Sequence, residues 1–181
     1  MKLFDFFKKK KEKIDTESFE YQILNMIKGS VFDYDLKSWL VLQVYEYQWQ
    51  NGEKSVEYLI DCGTEQWYLS IENDAELKIS LSQRVKVRVI DPKLPDLIIA
   101  YEQPPGTIQF NNTEYLLDHE TVGLFREENG EWADLISWEY TDDTEKKVLC
   151  IEQWGENDFD ASCGLAIKKY QITNIIIGAS V

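Results

Sequence analysis

The sequence predicts an all-β protein of two similar antiparallel halves, arranged as a pair of small barrels or as one duplicated sandwich. Three observations predict it. Apolar and polar residues alternate with period two through most of the chain, the signature of half-buried strands. Two Asn-Gly dipeptides, Asn51-Gly52 and Asn129-Gly130, each follow such a run, and Asn-Gly readily adopts the left-handed conformations that tight hairpins require. Finally, short motifs of the first half recur about 80 residues later in the second.

Residues 1–13 differ from the rest. Six lysines (Lys2, Lys8, Lys9, Lys10, Lys11, Lys13) stand against Asp5 and Glu12, so this tail is basic on a chain whose net charge is −14. Behind it, Phe19 to Ile23 alternates and reads as a strand. Trp39 to Trp49 is a long β-type run, and Val56 to Ile60 returns from the Asn51-Gly52 turn. Asp61-Cys62-Gly63-Thr64 makes the next turn. Trp67 to Ile71, Leu77 to Leu81 and Val85 to Val89 follow as strands. Pro92, Pro95, Pro104 and Pro105 mark residues 92–105 as a connection between a first half, 14–91, and a second, 106–181. In the second half, strands are expected at Thr107 to Phe110, Tyr115 to Leu117, Val122 to Phe125, Trp132 to Tyr140, Lys147 to Glu152, Ala166 to Ile167 and Ile172 to Ile177. No segment sustains a helical period over three turns.

The internal likeness rests on three matches. Gly29-Ser30-Val31-Phe32 corresponds to Gly106-Thr107-Ile108-Gln109, and Glu57-Tyr58 to Glu139-Tyr140. Leu69-Ser70-Ile71-Glu72 corresponds to Leu149-Cys150-Ile151-Glu152. Gly29 and Gly106 are expected in tight turns, with positive φ at one or both.

For function, the acidic balance argues against a nucleic-acid backbone as partner. Cys62, Cys150 and Cys163 are odd in number and lack C-x-x-C spacing, so reduced thiols in the cytoplasm are expected, with no zinc site. No run of 18 apolar residues exists. On a regular strand the single histidine, His119, faces away from Asp118 and Glu120, so the three cannot converge. No phosphate-cradling glycine motif is present. Asp33/Asp35, Asp142/Asp143/Glu145 and Glu156/Asp158/Asp160 read as solvated turns, with carboxylate-based hydrolysis through Asp33 and Asp35 as the enzymatic alternative. Glu-Tyr pairs such as Glu57-Tyr58 place ring and carboxylate on opposite strand faces, as on an ordinary sandwich surface. Aromatic residues make up 13% of the chain, enough to line a pocket for cations as well as a core. In the tail, Leu3, Phe4, Phe6 and Phe7 are candidates for shallow insertion into an anionic membrane surface, with Lys8, Lys9, Lys10 and Lys11 among its headgroups.

Lys28-Gly29-Ser30-Val31-Phe32-Asp33-Tyr34-Asp35-Leu36-Lys37-Ser38-Trp39, Glu57-Tyr58-Leu59-Ile60 and Leu69-Ser70-Ile71-Glu72 carry a resemblance, as do Ile136-Ser137-Trp138-Glu139-Tyr140, Cys150-Ile151-Glu152-Gln153-Trp154-Gly155 and Gly164. Through them residues 18–176 resemble the bacterial domain-of-unknown-function family 4178. The resemblance implies a genomic context of membrane-stress proteins, potassium channels and polyamine-synthase-like enzymes, and it carries over no catalytic residues. Some relatives in that family carry zinc-ribbon C-x-x-C pairs, which this chain lacks.

The resulting expectation is a non-enzymatic interaction module with a protein partner, without catalytic residues, metal or cofactor. It would work in the cytoplasm, with peripheral membrane contact through the tail. The alternative, from a different class, is an acidic aromatic pocket that binds a small cationic ligand such as a polyamine.

Overall fold

The computed structural model describes residues 19–73 and 76–178. The tail residues Leu3, Phe4, Phe6, Phe7, Lys8, Lys9, Lys10 and Lys11 lie outside them. The chain opens with a helix, α1, over residues 19–24, then runs through β1 (Val31–Tyr34), β2 (Lys37–Trp49), β3 (Lys54–Asp61), β4 (Gln66–Asn73) and β5 (Leu77–Val85). Two helices follow, α2 (Val87–Ile90) and α3 (Leu94–Tyr101). The rest is β6 (Thr107–Phe110), β7 (Thr113–Glu127), β8 (Ala133–Thr141), β9 (Lys147–Gly155), β10 (Asp158–Ile167), a 3₁₀ turn (Lys169–Gln171) and β11 (Thr173–Ile176).

The protein is thus mostly β, as expected, but three segments read as strand or connection are helical. Phe19 and Ile23 are separated by four residues, a spacing that satisfies period two and the α-helix equally. Tyr21 decides between them. A strand would place it with its neighbours toward the core, whereas it is 65% exposed and Met26 completes the helical stripe beneath. Val85 to Val89 divides at Lys86: Val87, Ile90 and Leu94 share the buried side of α2 and α3, and Val89 points outward. Inside the expected proline connection, Pro95 occupies the first turn of α3, where its missing N–H costs nothing, and Glu102 ends the helix in the left-handed conformation. In the second half, the expected pieces at 115–117 and 122–125 are one strand, β7.

All strands belong to one antiparallel sheet, ordered β11-β1-β2-β3-β4-β5-β10-β9-β8-β7-β6, and an additional β2–β7 pairing closes eight of them into a ring. The halves therefore form neither two barrels nor a two-layer sandwich. Each contributes four strands to one barrel. The order of elements is similar along the chain: α1, a short strand and the four strands β2 to β5 are followed by α2 and α3, a short strand and the four strands β7 to β10. The ladder register repeats as well: Tyr58 pairs with Leu69 and Val56 with Ile71, as Tyr140 pairs with Leu149 and Trp138 with Ile151.

Alternation along these strands sends Tyr58, Leu69 and Ile71 outward into one apolar cluster, covered by Ile23 and Met26, with Phe32 and Trp39. Tyr140, Leu149 and Ile151 enter a second cluster, covered by Val87, Ile90, Leu94 and Ile98. The two hydrophobic cores lie on the outside of the barrel, each roofed by a helical segment. Its inside is left to the other face of each strand.

The turns follow their local chemistry. Gly52 and Gly63 have φ near +90°, and Asn129 has φ +62°. Gly29 has φ +88°, while Gly106 is not left-handed. The next residue, Ser30, is fully buried, and its hydroxyl accepts the Ile27 and Gly178 N–H groups, each at 2.9 Å. A Cβ at Gly29 would meet nothing within 4 Å, so Gly29→Ala isolates the backbone strain. It should cost about 1 kcal/mol, readable as a lower urea midpoint with unchanged slope; an unchanged midpoint would refute the strain.

Candidate functional site

A cavity of about 950 Å³ fills the barrel and is lined from all eight of its strands. The wall is polar because each strand's outward face has taken its apolar residues. Glu57 and Ser55 come from β3, Tyr68, Ser70 and Glu72 from β4, and Lys78, Ser80, Ser82 and Arg84 from β5. The second half adds Asp118 and His119 from β7, Ser137 and Glu139 from β8, Cys150 and Glu152 from β9, and Ser162 and Ala166 from β10. The Glu-Tyr and Leu-x-Ile-Glu repeats of the sequence are thus what build the site. Their rings and aliphatic side chains fill the outer cores, and Glu57, Glu72, Glu139 and Glu152 line the cavity. Those pairs do not form a sandwich surface: closure of the sheet makes its polar face an interior.

Glu57 is held most firmly. Ser70 Oγ donates to its Oε2 at 2.6 Å and the Tyr47 hydroxyl to its Oε1 at 3.3 Å. The carboxyl groups of Glu139 and Glu152 accept no hydrogen bond among the described residues. Enclosure by the barrel pushes the Glu152 carboxyl up to about 8, with the negative charge of Glu57 adding to the effect and Arg84 opposing it. Burial likewise raises Glu139 to about 7, reinforced by Glu72 and opposed by His119 and Lys78. Glu57 is raised by burial against the hydrogen bond from Ser70, the charge of Arg84 and the hydrogen bond from Tyr47. Cys150, close to these carboxyls and 3.2 Å from Ser137 Oγ, has its thiol pushed well above the ordinary range, chiefly by burial. That makes it a poor nucleophile at neutral pH.

One end of the barrel is packed with rings. Tyr45 stacks on Phe125 at 5.6 Å, Phe125 meets Trp154 edge-on at 4.7 Å, and Tyr45 lies 6.3 Å from Tyr68. Arg84 lies 5.0 Å over the Tyr68 ring and forms an ion pair with Asp160. Toward the opposite end Trp49 stacks on Tyr47 at 5.3 Å. Lys78, His119, Glu139, Glu145 and Lys169 lie toward that end, where β5, β8 and β9 meet their loops and β10 gives way to the 3₁₀ turn.

His119 was expected to face away from Asp118. A bulge in the β7–β8 ladder between Leu117 and His119 overturns this, because the extra residue breaks the alternation. Asp118 Oδ2 comes within 3.3 Å of His119 Nδ1, while Nε2 lies 3.5 Å from Glu139 Oε2. Glu120 remains on the other face and accepts the Trp138 indole N–H at 2.6 Å. Asp33 and Asp35 sit at the β1–β2 hairpin and do not line the cavity. The Asp33 carboxylate accepts hydrogen bonds from Ser38 and Asn174, which hold it below the usual carboxylate range. Asp142 is a turn carboxylate, accepting the Lys146 and Lys147 N–H groups at 2.9 Å each. Cys62, Cys150 and Cys163 are free thiols. Among the described residues, no three His, Cys, Asp or Glu side chains converge as a metal site, and no helix is long and apolar enough to cross a membrane.

Comparison with known proteins places this geometry in a family. A curated relative, an uncharacterized protein of Aquifex aeolicus (strain VF5), is 22% identical over 170 residues, covering 94% of this chain and 93% of that protein. No solved structure matches. The family model for a domain of unknown function, DUF4178, matches residues 28–169, from the turn before β1 to the turn after β10, and the chain belongs to that family.

Proposed function

We propose that the barrel is a binding module for a small organic cation, with short aliphatic diamines of the polyamine class as the ligand type, and that it carries out no chemistry of its own. Four glutamates from four strands, facing one enclosed cavity beside Tyr47, Trp49 and Tyr68, carry this assignment. Carboxylates and ring faces are the two surfaces that attract organic cations. Ser70 pairs with Glu57 and Cys150 with Glu139, which makes Glu72 and Glu152 diagonal neighbours of those glutamates across the ladder. Diagonal positions lie about 7–8 Å apart. Carboxylates spread in this way suit a ligand with two separated ammonium groups better than a bare metal ion. The three free thiols suit a reducing compartment, the cytoplasm.

An interaction role for the outer surface is the second reading, favoured by Val89, Ile99 and Tyr101, which α2 and α3 leave exposed. It needs no cavity and is compatible with the first.

Calorimetric titration with 1,4-diaminobutane tests the proposal, with succinate as the anionic control. Binding should strengthen by about tenfold or more from pH 6 to pH 8.5, as the Glu139 and Glu152 carboxyls ionise, and protons should be released on binding. Glu72→Gln and Glu139→Gln should each weaken it by about tenfold. Absence of binding by the diamine, or equal binding of succinate, would overturn the proposal.

A further inference from the structure

The β5–β10 ladder has a centre at the Ser82–Gly164 pair, and positions on either side of it correspond. Two residues from the centre in one direction, Arg84 faces Ser162; two residues in the other, Ala166 faces Ser80. Both Arg84 and Ala166 line the cavity. The neighbouring strands repeat the relation. Tyr68 pairs with Ser82 on one side, and Val148 pairs with Gly164 on the other. At the first end the barrel thus supplies its own cation and ring, Arg84 on Tyr68, close to Glu57 and Glu152. At the second end the carboxylates are kept, as Glu72 and Glu139, but an alanine and a valine take the positions of the cation and the ring.

We propose that the Ala166 end of the cavity is the subsite for the ligand's cationic group, with Glu72 and Glu139 as its counter-ions, and that Arg84 is an internal cation filling the matching subsite at the other end. This rests on the reading of the barrel as an organic-cation site. The cationic side chains that line the open end are Lys78, His119, Lys168 and Lys169, the last 3.9 Å from Glu20. The Lys78 ammonium is 3.7 Å from Glu72 with its side chain 62% exposed, so it reaches the rim from solvent; His119 is held between Asp118 and Glu139. None of the four occupies the position across from Ser80, which is Ala166. By the same correspondence that relates Ala166 to Arg84, Glu139 holds at this end the place that Glu57 holds at the first, and its carboxyl accepts no hydrogen bond among the described residues.

Ala166→Arg should place a second tethered guanidinium in the open subsite. It should weaken 1,4-diaminobutane binding at pH 8.5 by about tenfold or more and, without ligand, raise the melting temperature at that pH, as a bound ligand does. Ala166→Met, of similar reach but uncharged, should weaken binding without raising the melting temperature. Arg84→Gln should open the second subsite and change the stoichiometry from one diamine per chain to two. Failure of the wild-type protein to bind the diamine overturns the parent reading and this inference with it. Wild-type binding with unaltered affinity in Ala166→Arg, or one diamine per chain in Arg84→Gln, overturns the inference alone. Should Ala166→Arg not fold, the stoichiometry of Arg84→Gln decides.

Discussion

Gly164→Ala is expected to destabilise the protein by about 3 kcal/mol and to lower its melting temperature by about 6–12 °C. A Cβ at this position would lie 1.9 Å from the Leu81 carbonyl oxygen and 2.6 Å from the Ser82 Cα. Both are backbone atoms of β5, and no rotamer change relieves the overlap. The strands must separate, and they form one of the two seams where the halves of the barrel join. The other seam, between β2 and β7, has a glycine too. A Cβ at Gly123 would lie 2.6 Å from the Trp49 ring and 2.7 Å from the Gln48 carbonyl oxygen. Gly164 is not left-handed, so the effect is steric rather than a loss of conformational freedom. Gly106→Ala serves as the control: nothing lies within 4 Å of its Cβ, and its φ is not positive. It should change the melting temperature by no more than about 2 °C. Equal melting temperatures for Gly164→Ala and Gly106→Ala would show that the seam does not depend on close approach. Because Ser80, Ser82 and Arg84 reach the cavity from this seam, Gly164→Ala should also weaken cation binding.

The melting temperature of the ligand-free protein should peak near pH 5 and fall by about 5 °C or more by pH 9. Folding raises the Glu139 carboxyl to about 7 and the Glu152 carboxyl to about 8 from an ordinary 4.5. Between pH 4.5 and 8 the folded protein therefore binds more protons than the unfolded chain, and stability declines as pH rises through that window. The surroundings set the direction. Glu72, Asp118, His119 and Lys78 bear on Glu139; Glu57, Asp160, Glu139 and Arg84 bear on Glu152, and in both cases burial outweighs the cations. On the acid side, Asp33, Asp61, Glu65 and Asp142 are held below the usual range by hydrogen bonds, so their contribution disappears as pH falls through their lowered values. Glu152→Gln separates the cavity from the chain's general negative charge. It should leave the melting temperature at pH 5 nearly unchanged, where Glu152 is already neutral, and raise it at pH 8.5. A melting temperature flat from pH 5 to 9, or a Glu152→Gln variant that tracks the wild type at both pH values, would refute the account. A stabilising substitution on the cavity wall is what a site selected for binding rather than for stability should yield.

Strand content was legible because alternation and turn chemistry are local. The Asn51-Gly52 and Asn129-Gly130 hairpins form where the dipeptides stand, and Gly63 turns the chain after Asp61. Where a local pattern permits two periods, neighbouring residues do not choose between them: Phe19 and Ile23 fit strand and helix alike, and only the outer cluster that α1 covers favours the helix. The direction of His119 is hidden from the sequence for a related reason. A bulge is one inserted residue in an otherwise regular run, and nothing in Leu117-Asp118-His119 marks it.

The candidate site was half legible. Glu57-Tyr58, Glu139-Tyr140 and the two Leu-x-Ile-Glu motifs were visible as repeats, and alternation correctly divides carboxylate from ring. Which face becomes the inside is not a property of any strand. It depends on β2 reaching β7 and β5 reaching β10, contacts 74 or more residues apart, as from Trp49 to Gly123 and from Arg84 to Ser162. Residue order thus determined the strands, the turns and the separation of polar from apolar faces, because these follow from neighbouring residues. Tertiary structure alone decided that the polar faces close on one another, since ring closure is set by long-range strand pairing. Two solvated surfaces thereby became an enclosed cavity with four glutamates, and the helices came to roof the apolar faces outside.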